Sequence, residues 1–173
     1  MDAGRLLLRL VIGGLFVGHG TQKLFGWFGG SGLEATGQGF ESLGLAPGRR
    51  NALAAGIAET AGGASLALGL ATPLAAAGLI SVMLTAVRTL HWKNGPWSTN
   101  GGYEYNAVLI AALLGLAEAG PGRWSLDHAL GEERSGLAWL LAALVAGTAG
   151  SLSATALAHR PHEEPVVAAT DAE

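Results

Sequence analysis

The sequence has no cysteine, few charges and few aromatic residues. Without cysteine, the chain can form no disulfide, thiolate metal site or thiol redox couple of its own. Charged residues occupy 13% of the 173 positions, where a water-soluble domain carries about 25%. So few charges cannot cover a globular surface, which excludes an ordinary soluble domain. The basic residues are sparse and scattered, so a nucleic-acid-binding surface is excluded as well. There is no H-E-x-x-H helix, no P-loop, no G-x-G-x-x-G fingerprint at a strand–helix junction and no G-x-S-x-G elbow. No metal site is expected, and no motif identifies a self-sufficient enzyme.

What the chain has is apolar length. Half of it is hydrophobic, 28 residues are glycine, and the mean hydropathy is +0.38. Five segments approach the roughly 20 apolar residues that cross a bilayer: residues 6–25, 52–70, 73–91, 104–119 and 136–158. The first carries Arg9, His19 and Lys23, the second a single charge at Glu59, and the last none. Pro73 suits the first turn of a helix, where its missing N–H costs nothing. Arg5 and Arg9 before an apolar stretch resemble a signal peptide, but no small-x-small cleavage site follows, so a retained helix is expected. Residues 26–50 read as a long glycine-rich loop, and residues 92–103 as a loop rich in Trp, Tyr and Gly. Residues 159–173 read as a disordered polar tail. That tail holds four acids and Arg160, so the formal charge of −3 reduces to nine acids against nine bases in residues 1–158.

If the spans alternate in direction, one membrane face, called face A here, collects most of the polar groups. His19, Gln22 and Lys23 reach it from the first span, spaced i, i+3, i+4 on one side of a helix. Ser81, Thr85, Arg88 and His91 form a similar stripe on the third, and Glu104, Tyr105 and Asn106 open the fourth. Glu59 lies about 12 Å deep in the second span. Gly56 and Gly63 share its side and admit a neighbouring helix closely. A lone carboxylate at that depth costs several kcal/mol, so Lys23 or Arg88 is its expected counter-ion. The pattern predicts a polar pocket among the first four spans, opening toward face A. Bland roles compete with this one: Lys23 and Arg88 also suit snorkelling to the headgroups, Glu59 a structural ion pair, and His91 an interface beside Trp92. His19 and His91 stand at similar depth on different helices. A bis-histidine haem fits that geometry, but two histidines alone do not indicate one, and haem is not expected.

The stretches "LLRLVIGGLFVGHGTQKLFGWFGG", "AGIAETAGGASLALGLATPLAA", "GGYEYN" and "GPGRWSLD", in this order over roughly residues 4–130, resemble the DoxX family of bacterial membrane proteins. The resemblance implies an all-α, integral membrane four-helix bundle over residues 1–131. To this the chain adds a fifth C-terminal transmembrane helix within residues 132–158. It also implies a multi-pass protein of the bacterial cytoplasmic (inner) membrane, linked to membrane redox and oxidative-stress complexes. Carried over by motif, the candidate residues are His19, Gln22, Lys23, Glu59, Glu104, Tyr105 and Asn106; Arg88 and His91 come from the helical stripe.

Three functions follow in order. The first is an accessory or structural subunit of a larger membrane redox complex of respiratory or photosynthetic type. It would contact the lipid bilayer and dock other membrane subunits through the fifth helix, where Gly147 and Gly150 lie among small residues. The second is a redox-associated protein that binds a quinone-like molecule in the polar pocket, its electrons supplied from outside this chain. The third, a small-solute transporter, has neither an internal repeat nor polar groups in both leaflets to support it. Orientation is a tie. Arg49, Arg50, Lys93 and Arg160 on face A balance Arg5, Arg9, Arg123 and Arg134 on the other; the resemblance favours a cytoplasmic N-terminus.

Overall fold

The computed structural model describes residues 2–158; the tail expected to be disordered, with Arg160, lies outside them. In chain order the helices are α1 (Asp2–Phe25), α2 (Gly32–Ser42), α3 (Gly48–Leu68), α4 (Thr72–Ala86), α5 (Glu104–Ala119), the single turn α6 (Leu126–Ala129) and α7 (Leu137–Ala158). No strand occurs among the described residues. Helix α4 runs on through a π turn (Val87–His91) and a 3-10 turn (Trp92–Asn94), giving one rod from Thr72 to Asn94. Asp2–Phe25, Thr72–Asn94 and Leu137–Ala158 are long and apolar enough to cross a membrane. Helix α5 is short for a crossing, and α3 carries Arg49, Arg50 and Glu59. Both pack against the longer helices in the bundle.

Glycine sets the α1–α3 distance. A Cβ on Gly13 would stand 2.5 Å from the Gly63 carbonyl oxygen, and one on Gly63 would stand 2.6 Å from that of Gly13. Gly20 and Gly56 make a second close approach about two helical turns nearer face A. Lipid is as apolar as a leucine side chain, so backbone-to-backbone packing rather than water exclusion holds such helices together. Phe16, Leu66, Leu79, Ile80, Leu113 and Leu116 fill the bundle interior.

The glycine-rich segment 26–50 is not a simple loop. It contains α2, which packs on α3 with Gly37 against Gly48, while the Glu41 carboxylate accepts from the Gly48 N–H at 3.0 Å. Gly32, Gly37 and Gly39 lower its helix propensity, but Gly37 admits the α3 backbone, and that tertiary contact outweighs the propensity.

Arg9 departs from its expected role as a charge interrupting a span. It is 1% exposed, and its guanidinium donates to the carbonyls of Pro121 (2.6 Å) and Trp124 (2.5 Å). Beside it, the buried Asp127 carboxylate accepts from the Ala71 N–H (2.7 Å), the Thr72 N–H (3.0 Å) and the Thr72 hydroxyl (2.9 Å). Ala71 has φ +46°, a left-handed conformation costly for a residue with a Cβ, and Asp127 holds it there. This latch ties α1, the α3–α4 turn and the segment after α5 together at the end opposite face A.

Helix α7 lies along α4. A Cβ on Gly147 would stand 2.6 Å from Ile80 Cγ2, and one on Gly150 2.7 Å from Ser81 Oγ. The two glycines read as a docking face for another subunit are therefore covered by this chain's own α4. Leu141, Val145, Leu152 and Leu157 point outward.

Candidate functional site

Glu59 sits inside the bundle, 2% exposed. Its Oε2 accepts from Lys23 Nζ at 2.6 Å. The recorded contact uses Oε2 alone, so among the described residues Oε1 takes no part in the ion pair. The i, i+4 spacing puts His19 and Lys23 on one side of α1, and both line the same cavity as Glu59.

The imidazole is oriented by Gln22. The Gln22 amide nitrogen donates to the Phe28 carbonyl at 3.3 Å, so its oxygen is the atom facing His19 Nδ1 at 3.1 Å. Nδ1 then carries a proton, and in the neutral form of the ring Nε2 is the acceptor. Replacing Gln22 with Leu should shift the ring toward the Nε2–H tautomer, read by nitrogen NMR of the imidazole; an unchanged tautomer would refute this orientation. Phe28 itself has φ +52° in the Trp27–Gly29 turn, with Phe25, Trp27 and Phe28 exposed as an interfacial cluster.

On α5, Asn106 is 6% exposed. Its amide nitrogen donates weakly to Met83 Sδ at 3.4 Å, and among the described residues that bond leaves its Oδ1 uncommitted. His19, Lys23, Glu59, His91, Tyr105 and Asn106 all line one cavity of about 950 Å³ along α4. That volume lies at the upper end of small-molecule sites, about 300–1,000 Å³. The cavity's walls are mainly apolar, with α2, α3 and α7 contributing Phe40, Ala58 and Gly150.

The other three candidates support the surroundings. Gln22 orients His19. Glu104 accepts from the Ser98 N–H at 2.9 Å and from the Ser98 hydroxyl, closing the 92–103 segment back on α5. Arg88 turns to α7, donating to Ser151 Oγ (3.3 Å) and Thr155 Oγ1 (3.2 Å), while Thr85 also donates to Ser151 (3.0 Å). Of the two expected counter-ions for Glu59, the one in contact is Lys23. The helical stripe on α4 divides because the π turn inserts an extra residue into the repeat. Arg88 faces α7, and His91 faces the 92–103 segment, bonding the Gly101 carbonyl through Nδ1 at 2.7 Å. Trp92 stacks on Tyr103 beside it, ring centroids 5.5 Å apart. Among the described residues no three His, Cys, Asp or Glu side chains gather as a metal site.

Residues 4–92 match the DoxX family profile, from the start of α1 to the end of the π turn. The chain belongs to the DoxX family. The matched part holds His19, Gln22, Lys23, Glu59, Arg88 and His91; Glu104, Tyr105 and Asn106 lie beyond it. An uncharacterized membrane protein of Mycobacterium tuberculosis (strain ATCC 25618 / H37Rv), Rv3486, is 29% identical over 136 residues, or 72% of this chain and 80% of the relative. No solved structure matches. This DoxX chain is thus a membrane protein in which α1, α3 and α4 of the matched part supply the ion pair and most of the cavity wall.

Proposed function

We propose that this DoxX protein is an accessory subunit of a bacterial cytoplasmic-membrane redox complex, and that its contribution is a pocket for a quinone-like headgroup. The observation that carries the reading is the ion pair between buried Glu59 and part-buried Lys23 at the wall of a 950 Å³ cavity, with Glu59 Oε1 outside that contact. Burying a paired carboxylate in an apolar bundle is weak support for stability by itself, and intramembrane ionisable groups are more often functional. The pocket offers acceptors at Glu59 Oε1, Asn106 Oδ1 and His19 Nε2, and donors at Lys23 Nζ and the Tyr105 hydroxyl. A ring that is a carbonyl when oxidised and a hydroxyl when reduced meets a partner in both states. In the complex, the redox-active partner supplies the electrons, and this chain holds the ring and relays its protons.

Glu59→Gln should weaken binding of a benzoquinone to the protein in nanodiscs by at least about tenfold, a loss of roughly 1.4 kcal/mol, with helicity unchanged. The double variant Lys23→Met, Glu59→Gln removes both charges together and keeps the seam neutral, so a folding defect is separable from a binding defect. Full binding by either variant would sink the proposal.

A further inference from the structure

The cavity is longer than a headgroup needs. Its lining runs along α4 from Leu74 to His91, about 25 Å at 1.5 Å per residue. Gly62 of α3 lies level with Leu79 of α4. By the same rise, Gly78 stands about 6 Å beyond Glu59, away from face A, and Leu74 about 12 Å beyond it. This far part is an open groove. Leu74 and Gly78 form an exposed floor, with Ala58 of α3 on one side and Ala146 and Gly150 of α7 on the other. A Cβ on Gly78 would meet nothing within 4 Å, so the space above it is unfilled.

Two observations say what fits there. The groove is continuous with a polar end where Glu59 and Asn106 are both more than nine-tenths buried; Glu59 is bonded through Oε2 and Asn106 through its amide nitrogen, which leaves one side-chain oxygen of each for a ligand. Glu59 is eleven residues from the start of α3, about 16 Å below its face-A end. A phospholipid must keep its charged phosphate in the headgroup layer, because burying it unpaired at this depth costs many kcal/mol. An uncharged ring pays no such penalty.

We infer that the occupant is a quinone bearing a single long apolar chain, which enters sideways from the bilayer and lies over Gly78 while the ring rests at Glu59. This rests on the headgroup reading above. Lipid already solvates the tail, so the groove selects by shape rather than by removing the tail from water. Helix α7 thereby has a function in the chain: its small side chains form one bank of the groove.

The test uses the whole protein in nanodiscs with a decyl benzoquinone carrying a photoreactive diazirine at the chain end. Peptide mapping should find saturable adducts on α3, α4 and α7 around Gly78, displaced by unlabelled decyl quinone. Gly78→Leu, which fills open space, should lose these adducts while still binding the tailless benzoquinone as the parent does. Glu59→Gln should lose both. Adducts confined to lipid-facing residues such as Leu10 or Val145, with tailless binding still dependent on Glu59, would overturn the tail inference and leave the headgroup reading standing. Adducts around Gly78 that persist in Glu59→Gln would overturn the headgroup reading, and this inference with it. If a diazirine phospholipid gives the same adducts and decyl quinone does not displace them, the groove belongs to bilayer lipid and the inference fails.

Discussion

Asp127→Ala should be among the most damaging single substitutions in the chain. It removes three hydrogen bonds to the α3–α4 turn. It also frees Ala71 from its left-handed conformation and leaves Arg9 buried without the nearby negative charge. Breaking a buried charged network costs about 3–5 kcal/mol, a large share of a typical stability of roughly 5–15 kcal/mol. Thermal unfolding in mild detergent, followed by far-UV circular dichroism, should show the midpoint falling by about 10 °C. Asp127→Asn retains an acceptor and should fall between the two. Arg9→Met should damage the same element, and Arg9→Met with Asp127→Ala should cost less than the sum of the singles. Strict additivity would mean that the two residues are independent and that no shared latch exists.

Gly63→Leu should be of similar severity for a different reason. The new Cβ would stand 2.6 Å from the Gly13 carbonyl oxygen and 2.9 Å from Phe16 Cβ, in a seam where one wall is backbone and cannot yield. Overpacking of this kind costs about 1–3 kcal/mol where neighbours can move, and more where they cannot. Separating α1 from α3 also stretches the Lys23–Glu59 contact one turn away, so loss of stability and loss of ligand binding should appear together. Gly14→Leu is the control on the same helix. Nothing lies within 4 Å of its Cβ position, so its midpoint should match the parent protein. Leu is the better helix former, so equal losses at Gly14 and Gly63 would show that the close α1–α3 seam is not the cause.

The all-helical fold and the need for a cation beside Glu59 were legible because both rest on local rules, although the choice between Lys23 and Arg88 was not. Apolar length marks the helices, i, i+4 spacing fixes the face of α1, and a deep carboxylate demands a cation. What was not legible depends on partners far away in sequence. Arg9 looks like any basic residue near a helix start until the carbonyls of Pro121 and Trp124 are placed beside it, more than a hundred positions on. Helix α2 was hidden by glycines whose purpose is to admit the backbone of α3. Gly147 and Gly150 do mark a packing face, but composition cannot say whether the helix packed there belongs to another chain or to this one. Arg88 followed the same logic: only the register of α7 shows that Ser151 and Thr155 would receive it.

The π turn at Val87–His91 has a mechanical consequence. In an uninterrupted α-helix, Arg88 and His91 would be neighbours on one side, competing for the same surroundings. One residue of slack lets a single rod present its guanidinium to α7 and its imidazole to the segment that covers the cavity. Removing one residue from this turn would therefore act as a rotation of everything downstream. The roof of the cavity would turn against its walls, although every side chain that lines it was still encoded.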